Sequence, residues 1–583
     1  MGCVSTTEDS ASAARGAAEA VDLLSRLRLT LEGVRLPLGI DGAAGADRDR
    51  RSAVDQLDDY VLPRYRSLDA PLLAVVGGST GAGKSTLVNA LVGHPVTRSG
   101  AIRPTTRQPI LLHHPQDAEW FTTPRVLPHL SRTRGRLADP DPAASGSLVL
   151  VAEPALPAGL ALLDAPDIDS VADGNRRLAG QLLSAADLWV FVTTANRYAD
   201  AVPWELLLDA AARDITVAVV LDRVPDGVQA EVGADLRGML ERQGLGAAQL
   251  FVVTEAALGA EGMLPDGAVD RLRDWLTAIA TDAGSRSEVA RRTLNGVVRQ
   301  LAGTVEGLVQ AEEDQRRAAA RLTGDVDSAY GQALREALSA TQDGTLLRGE
   351  VLSRWQDFVG TGEFFRSLES GIGRLRDRLT SFLTGRPAPP EEVETALETG
   401  LHAVLVEQAA AAAEEAEQRW RQDAAGRGLV QGRDLAALPE DFTERAAGEI
   451  RGWQQDLIQL IHQEGAGKRT MARISALGVN GVAVTLMIVS FASTGGLLGL
   501  EVGIAGGTAV VAQKLLESIF GEDAVRRLAR RSQENLVGRV ADLLQSEAAR
   551  FTGLLDEVPD EGSSAQLRAL VPALRRLSGR REG

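Results

Sequence analysis

Short apolar runs and amphipathic segments alternate along residues 71–282 of this chain. Apolar runs of four or five residues are typical of buried strands, and longer segments with apolar residues every three or four positions are typical of helices. This alternation predicts an α/β domain with a mostly parallel sheet flanked by helices. We expect strands at residues 72–76, 109–112, 148–151, 160–163, 188–192, 217–221 and 250–253, and helices at 84–92, 204–212 and 268–281.

Outside this domain the hydrophobic pattern is helical. Residues 1–70 form a predicted N-terminal helical segment, in which Leu23, Leu24, Leu27 and Leu31 share one stripe. Residues 283–470 predict long helical arms, interrupted at the Gly/Pro-rich stretch 385–390. Residues 517–583 predict a C-terminal helical segment.

A long uncharged segment separates the helical arms from the C-terminal helices. No charged residue occurs from Ile474 through Leu500, and a second apolar stretch follows Glu501. A membrane span needs ~20 apolar residues. We therefore predict an apolar helical hairpin at 471–516 that inserts into or spans a membrane; the alternative is a hairpin buried inside a helical bundle. Basic residues on both sides of the apolar stretches favour a cytoplasmic location of their two ends. Lys468, Arg469 and Arg473 precede Ile474, and Lys514 and the arginine cluster Arg526, Arg527, Arg530 and Arg531 follow Gln513.

Charge and cysteine content exclude several classes of function. The net charge of −17 argues against a general nucleic-acid binder, which normally carries a basic face. The single cysteine, Cys3, excludes a disulfide framework and a cysteine-based metal site. A cytosolic, reducing environment is consistent with this composition.

A glycine-rich loop at the end of the first predicted strand carries the clearest chemical signal. It reads Gly78-Ser79-Thr80-Gly81-Ala82-Gly83-Lys84-Ser85, followed by Thr86 at the start of a predicted helix. In a phosphate-binding loop of this pattern, backbone N–H groups surround the phosphates, the lysine contacts the β- and γ-phosphates, and the serine binds Mg²⁺. Lys84 is one of only three lysines among 62 basic residues, an arginine-rich usage typical of a high-GC bacterium. The sequence therefore predicts a P-loop nucleotide hydrolase.

Three motifs in order resemble those of dynamin-like and related bacterial GTPases. They are the loop just described, then Arg103-Pro104-Thr105-Thr106, then Leu162-Leu163-Asp164-Ala165-Pro166-Asp167. The resemblance is specific over residues 71–225. It implies a GTPase with GTP as substrate and Mg²⁺ as cofactor. Lys84 and either Thr105 or Thr106 would act in catalysis, and Ser85, the same threonines and Asp164 would hold the metal.

The chain departs from the family pattern at the base-reading and third motifs. Asp167 stands where the third motif usually ends in glycine, which changes the expected contact to the γ-phosphate. The guanine-reading motif appears only as Asp222-Arg223-Val224-Pro225, in which Pro225 replaces the discriminating aspartate. Asp222 and Arg223 remain the candidate base-binding residues. A preference for guanine is therefore implied by the resemblance alone.

No residue in the motifs is an obvious positioner of the attacking water. Ser79 and Ile168 stand where related enzymes carry glutamine. Because phosphoryl transfer depends on positioning and charge neutralisation, we expect slow basal hydrolysis. Arg103, Arg107 and Arg197 are candidates for an accelerating arginine.

Together these features suggest a bacterial dynamin-like GTPase that couples its nucleotide cycle to membrane association or remodelling. The resemblance implies that the helix at 10–35 packs with the C-terminal helices, as the neck of that family does. It also implies a homodimer or homo-oligomer formed through the GTPase domain, or a pair with a paralogous GTPase. The apolar segment and the basic residues around it predict membrane lipid as a partner and a location at the cytoplasmic face of the cell membrane. One alternative is a membrane-anchored regulatory GTPase that acts through partner proteins without remodelling lipid. A minor alternative is an ATP-driven transport ATPase.

Overall fold

The computed structural model describes residues 5–97, 108–135, 147–167, 173–198, 201–342, 390–464, 520–559 and 562–579. The chain divides into two compact units. Unit 1 comprises Met1–Leu36, Gly42–Glu313 and Asp560–Gly583, and unit 2 comprises Pro37–Asp41 and Asp314–Pro559. The finer boundaries at residues 70, 282, 470 and 516 stay predictions.

A mostly parallel sheet forms the centre of unit 1. Its strands are β1 Leu72–Gly78, β2 Ile110–His113, β3 Ser131–Arg134, β4 Ser147–Ala152, β5 Leu160–Asp164, β6 Leu188–Thr194, β7 Thr216–Val224 and β8 Gln249–Thr254. The strand order is β3-β4-β2-β5-β1-β6-β7-β8. Adjacent strands are parallel except β2 and β5, which run antiparallel. The predicted α/β fold is therefore confirmed, and each predicted strand is present.

Side-chain alternation explains why β1 lies at the centre of this sheet. Leu73 and Val75 belong to the apolar core on one face, whereas Leu72, Ala74 and Val76 belong to the core on the other. Burying an aliphatic side chain of this size stabilises the fold by roughly 1.5–3 kcal/mol. A strand with no polar position is stable only when both faces are covered.

Helices cover the sheet and connect its parallel strands. They are α4 Lys84–Val92, α5 Ala118–Thr122, α6 Asp173–Ser184, α7 Ala201–Ala212, α8 Gln229–Arg242 and α9 Asp270–Thr281. The register places the ends of three strands at one edge of the sheet: Val76 of β1 lies beside Asp164 of β5, and Gly78 lies beside Val192 of β6. Ligand sites of open parallel sheets lie at this carboxyl edge.

A helical layer at the chain termini completes unit 1. It contains α1 Ser5–Gly33, α2 Ala43–Gln56, a π-helical turn Leu57–Val61, α3 Leu62–Arg66, the first part of α10 Ala283–Gln342, and α15 Gly562–Gly579. The predicted leucine stripe of α1 is buried here, against Val298 and Leu301 of α10 and Leu574 of α15. The predicted packing of the N-terminal helix with the C-terminal helices is confirmed for α15.

Unit 2 is helical in its described residues. Its helices are α11 Pro390–Gln422, α12 Ala424–Val430, α13 Phe442–Glu464, α14 Glu522–Thr552 and the remainder of α10. Trp420, Phe442 and Phe551 are fully buried in the core between them. The Trp420 indole also donates a hydrogen bond to the Leu322 carbonyl at 3.0 Å. The few aromatic residues of this chain therefore serve partly as packing centres for long Ala/Leu-rich helices.

The predicted apolar hairpin at 471–516 lies outside the described residues. So do residues 385–389 of the predicted break at 385–390, whose last residue, Pro390, is the first residue of α11. Among the helices that the structure does describe, none combines the length and the apolar character needed to cross a membrane.

Asp59, in the π-helical turn, is a buried carboxyl that makes stability depend on pH. Burial raises the pKa of Asp59 to about 6, although Gln181, which donates to Oδ2 at 2.8 Å, and His129 lower it. In an unfolded chain the same carboxyl titrates near 3.9. Between these values the folded state holds the extra proton, so unit 1 loses stability as the pH rises from about 4 to about 6.

We expect Asp59→Asn to remove this pH dependence, because the amide resembles the protonated carboxyl. At pH 7.5 the variant should be more stable by about 1–3 kcal/mol, and this gain should shrink as the pH falls to 4.5. Urea unfolding of wild type and variant at both pH values measures the effect. Equal stability gains at pH 4.5 and 7.5 would contradict the assignment.

Candidate functional site

The glycine-rich loop connects β1 to α4 at the carboxyl edge of the sheet. A Cβ on Gly78 would lie 2.1 Å from the carbonyl oxygen of Val192 in β6. Gly83, which precedes α4, has a φ of 95°. A Cβ there would lie 2.5 Å from Asp222 Oδ2. Glycine is therefore required at Gly78 by close packing against the backbone of β6, and at Gly83 by its positive φ.

Lys84 is buried under this loop with its ammonium fully hydrogen-bonded. Its side chain is 5% exposed. Nζ donates to the carbonyls of Gly78 at 3.0 Å and Ser79 at 3.2 Å, and to Asp167 Oδ1. Because a lysine ammonium has three N–H donors, these acceptors account for all of them. The ammonium is thus held at the mouth of the loop, where the helix dipole of α4 also favours an anion.

A hydroxyl and a carboxylate face each other beside the lysine. Ser85 Oγ donates to Asp164 Oδ2 at 2.7 Å. Asp164 is fully buried at the end of β5, and its Oδ1 accepts no hydrogen bond from the residues that the structure describes. Burial raises the pKa of Asp164 to about 6, and the Ser85 hydroxyl and the Lys84 charge oppose that rise.

These oxygens have the chemistry of a magnesium site. Mg²⁺ prefers hard oxygen ligands and is usually bound through one or two carboxylates together with substrate phosphates. The buried Asp164 Oδ1 would gain a partner from such an ion or its water, and Ser85 Oγ lies next to it. The residues present therefore fit the metal that the sequence predicted.

The candidate base-binding residues lie in the last part of β7, close to the loop. Asp222 is buried, and burial raises its pKa while the Arg223 amide and charge lower it. Asp222 Oδ1 accepts from the Arg223 backbone N–H at 2.9 Å. Arg223 adopts a positive φ of 55°, uncommon for a residue with a side chain, and its side chain is 54% exposed. The structure thus brings Asp222 against Gly83 and leaves Arg223 at the surface.

Arg197 also reaches the phosphate loop. Its Nη1 donates to the Thr80 carbonyl at 3.1 Å, across a separation of 117 residues.

Two of the predicted site residues, Thr105 and Thr106, lie outside the described part of the chain, and so do Arg103 and Arg107. The structure therefore assembles Lys84, Ser85 and Asp164 at one place and leaves the threonine position a prediction.

Sequence reasoning missed a buried hydrogen-bond network behind the loop. Asn89 Oδ1 accepts from the backbone N–H groups of Val96 and Thr97, and Asn89 Nδ2 donates to the Thr97 carbonyl at 2.9 Å. Thr97 Oγ1 donates to the Ser85 carbonyl at 3.1 Å. This network fixes the chain after α4 to the turn that carries Ser85. The polar Asn89 between apolar residues of α4 was the signal that could have revealed it.

Three solved structures show a weak likeness to this chain. A chain from "An oligomerised bacterial dynamin pair provides a mechanism for the long-range sensing and tethering of membranes" is 12% identical with a TM-score of 0.44, and the alignment covers 91% of this chain and 92% of that one. LeoA, a bacterial dynamin GTPase from ETEC, is 13% identical with a TM-score of 0.24, covering 96% and 98%. Era in complex with MgGDPNP and ribosomal RNA is 18% identical with a TM-score of 0.23, covering 35% and 56%. At these TM-scores the likenesses carry no argument about this chain.

Comparison at the sequence level is more specific. No curated protein matches the chain. Residues 73–220 match the family model described as the Dynamin family. This stretch begins in β1, contains Lys84, Ser85 and Asp164, and ends in β7 just before Asp222. The match, together with the mostly parallel sheet, supports a dynamin-like GTPase domain in this part of the chain.

Proposed function

We propose that the chain is a GTP-binding and GTP-hydrolysing dynamin-like protein that couples its nucleotide cycle to membrane association or remodelling. The observation that carries the proposal is the cluster of Lys84, Ser85 and Asp164 at the mouth of the glycine-rich loop. This cluster lies within the stretch that matches the dynamin family.

Each residue of the cluster has a distinct role in this proposal. The backbone N–H groups from Gly78 to Ser85 would surround the phosphates, because the glycines allow the main chain to approach closely. Lys84 would neutralise charge on the β- and γ-phosphates. Ser85 and Asp164 would hold Mg²⁺, which when bound neutralises charge developing between the β- and γ-phosphates. Thr105 or Thr106 would complete this set.

The base would lie beyond the loop, next to β7. Asp222 lies against Gly83, so its carboxylate is well placed to shape the base pocket. The half-exposed Arg223 side chain would lie over the base. Guanine preference rests on the family match, because Pro225 replaces the residue that would discriminate guanine directly.

Slow basal turnover is part of the proposal. Lys84 supplies charge neutralisation, but Ser79 and Ile168 stand where related enzymes carry the glutamine that positions the attacking water. Because positioning is a main source of catalysis in phosphoryl transfer, turnover without it is slow. Arg197 contacts the loop through the Thr80 carbonyl, so a rearrangement of that contact is one way to bring a further positive charge toward the phosphates.

Membrane association would come from residues 471–516. Their sequence contains a 27-residue uncharged stretch, 474–500, which exceeds the ~20 residues needed to span a bilayer. Flanking basic residues favour the cytoplasmic face of the cell membrane. We further propose that the GTPase domain forms homodimers or homo-oligomers, or pairs with a paralogous GTPase, at that surface.

A regulatory GTPase that is anchored at the membrane but acts through partner proteins is the second candidate. The same uncharged stretch supports it, because an anchor does not by itself deform lipid. GTP-dependent clustering or tubulation of vesicles would favour the dynamin-like function, and nucleotide-gated capture of a partner would favour the regulatory one. The ATP-driven transport ATPase would require ATP to displace bound nucleotide better than GTP.

One experiment on the full chain tests the proposed function. We expect GTP hydrolysis that stops when EDTA removes Mg²⁺ and that rises when vesicles with anionic lipids are added. We also expect the protein to sediment with these vesicles, and a variant that lacks residues 474–513 to stay in the supernatant with its basal turnover retained. Equal sedimentation of both proteins would refute the membrane assignment, and turnover that persists in EDTA would refute the metal site.

A further inference from the structure

Asp167 is a buried carboxylate whose contact with Lys84 has a consequence for nucleotide selection. It lies three residues after Asp164, beyond the end of β5, and is 8% exposed. Its Oδ1 accepts a hydrogen bond from Lys84 Nζ, with which it also forms an ion pair. The remaining acceptors of that ammonium, Gly78 O and Ser79 O, are backbone carbonyls of the loop itself.

A phosphate that binds Lys84 must therefore replace one of three acceptors. The two carbonyls are fixed by the loop, whose Gly78 packs against β6. Asp167 is the acceptor that belongs to a side chain, so it is the one that rotation can release. Even after release, its negative charge remains within a few ångströms of the lysine, where a carboxylate repels a phosphate strongly because the surroundings are buried.

Repulsion by Asp167, and its competition for Lys84, weaken the binding of some phosphates of a nucleotide more than others. Lys84 would contact both the β- and the γ-phosphate, but the backbone N–H groups of the loop also hold the α- and β-phosphates, whereas the terminal phosphate of a triphosphate depends mainly on the lysine and the metal. Competition for the lysine therefore weakens a triphosphate more than a diphosphate. The extra charge of the triphosphate acts in the same direction.

We infer that Asp167 is a specificity-determining residue that lowers the affinity of this site for nucleoside triphosphates relative to diphosphates. The inference rests on the proposed nucleotide site and adds to it a residue outside the predicted binding set. Asp167 and the terminal phosphate compete for the Lys84 ammonium. A triphosphate therefore binds fully only when Lys84 has exchanged its contact with Asp167 for one with phosphate.

The test is equilibrium binding of fluorescent GDP and a fluorescent non-hydrolysable GTP analogue to the full chain in Mg²⁺. Asp167→Asn keeps the shape of the side chain and removes its charge. We expect it to tighten triphosphate binding about 10-fold and to change diphosphate binding by less than about 3-fold. Asp167→Gly, which removes the side chain, should shift the ratio in the same direction. Asp274→Asn, at an exposed carboxylate on α9, should shift neither affinity.

Three outcomes separate this inference from the proposed function. An unchanged ratio in both Asp167 variants, or weaker triphosphate binding in them, would overturn the inference while the site itself stands. The proposed function fails if the wild type binds neither nucleotide, or if the Lys84→Ala variant binds both nucleotides as tightly as the wild type does. The inference then fails with it. Thermal unfolding of each variant confirms that the comparison is between folded proteins.

Discussion

Replacing Lys84 with alanine is expected to lower GTP turnover by about 10²–10³-fold, the cost of removing one preorganised charge-stabilising donor from an active site. The reason is local. The described residues place Lys84 Nζ at the mouth of the phosphate loop, with the loop carbonyls orienting it. Alanine leaves the loop without that charge, so phosphate binding and transition-state stabilisation both suffer. Steady-state phosphate release from GTP measures the effect.

Two matched variants separate charge from packing in this prediction. Lys84→Met retains most of the side-chain volume without the charge and should be as inactive as the alanine variant. Lys84→Arg retains the charge but presents a planar fork in place of a compact ammonium, so it should keep only a fraction of wild-type turnover. Wild-type turnover in the methionine variant would show that Lys84 does not contact phosphate.

Replacing Arg64 with leucine is expected to destabilise unit 1 by about 3–5 kcal/mol, because it leaves a buried carboxylate without its counterion. Arg64 and Asp187 are 4% and 3% exposed. Arg64 Nε donates to Asp187 Oδ1 at 2.8 Å, and Nη1 donates to the Ala70 carbonyl at 3.0 Å. Asp187 also accepts from the Tyr60 hydroxyl and from the Leu73 backbone N–H. This cluster joins α3 to the beginning of β1 and β6.

Urea unfolding, followed by a probe in unit 1, measures this loss of stability. Arg66→Leu is the matched control, since Arg66 lies on the same helix but is exposed, and it should change stability by less than about 0.5 kcal/mol. Adding Asp187→Asn to Arg64→Leu should recover part of the loss, because the uncompensated charge is removed. Equal stability of the Arg64 and Arg66 variants would mean that the buried pair contributes nothing.

Much of the fold could be predicted because its signals are local. The runs that became β1, β5, β6 and β7 are apolar at nearly every position, as strands covered on both faces must be. β3 was missed because Ser131–Arg134 is polar and largely exposed, so it carries neither a buried run nor an alternation. The antiparallel pairing of β2 with β5 was not specified, since the direction of a strand depends on the path of its connections rather than on its own residues.

In the candidate site, too, the features with a local sequence signal could be predicted and the others could not. The glycine-rich loop is contiguous in sequence, so its residues and their order could be assigned before the structure. The resemblance implied that Asp164 and Ser85 hold the metal together. The structure brings the two side chains into hydrogen-bond contact, and their role as metal ligands stays a prediction. Lys84 and Asp167 are separated by 83 positions in the sequence, and Gly83 and Asp222 by 139 positions. No local sequence pattern predicts these two contacts.

The central claim is that the loop from Gly78 to Ser85 binds Mg²⁺ and GTP. Its most direct test is equilibrium titration of the full wild-type chain with a fluorescent guanine nucleotide in Mg²⁺, followed by displacement with unlabelled GTP or ATP, and repeated with Lys84→Ala. The account predicts saturable binding that GTP displaces, that ATP displaces poorly, and that the alanine variant lacks. Absence of binding to the wild type, or equal binding to Lys84→Ala, would contradict it.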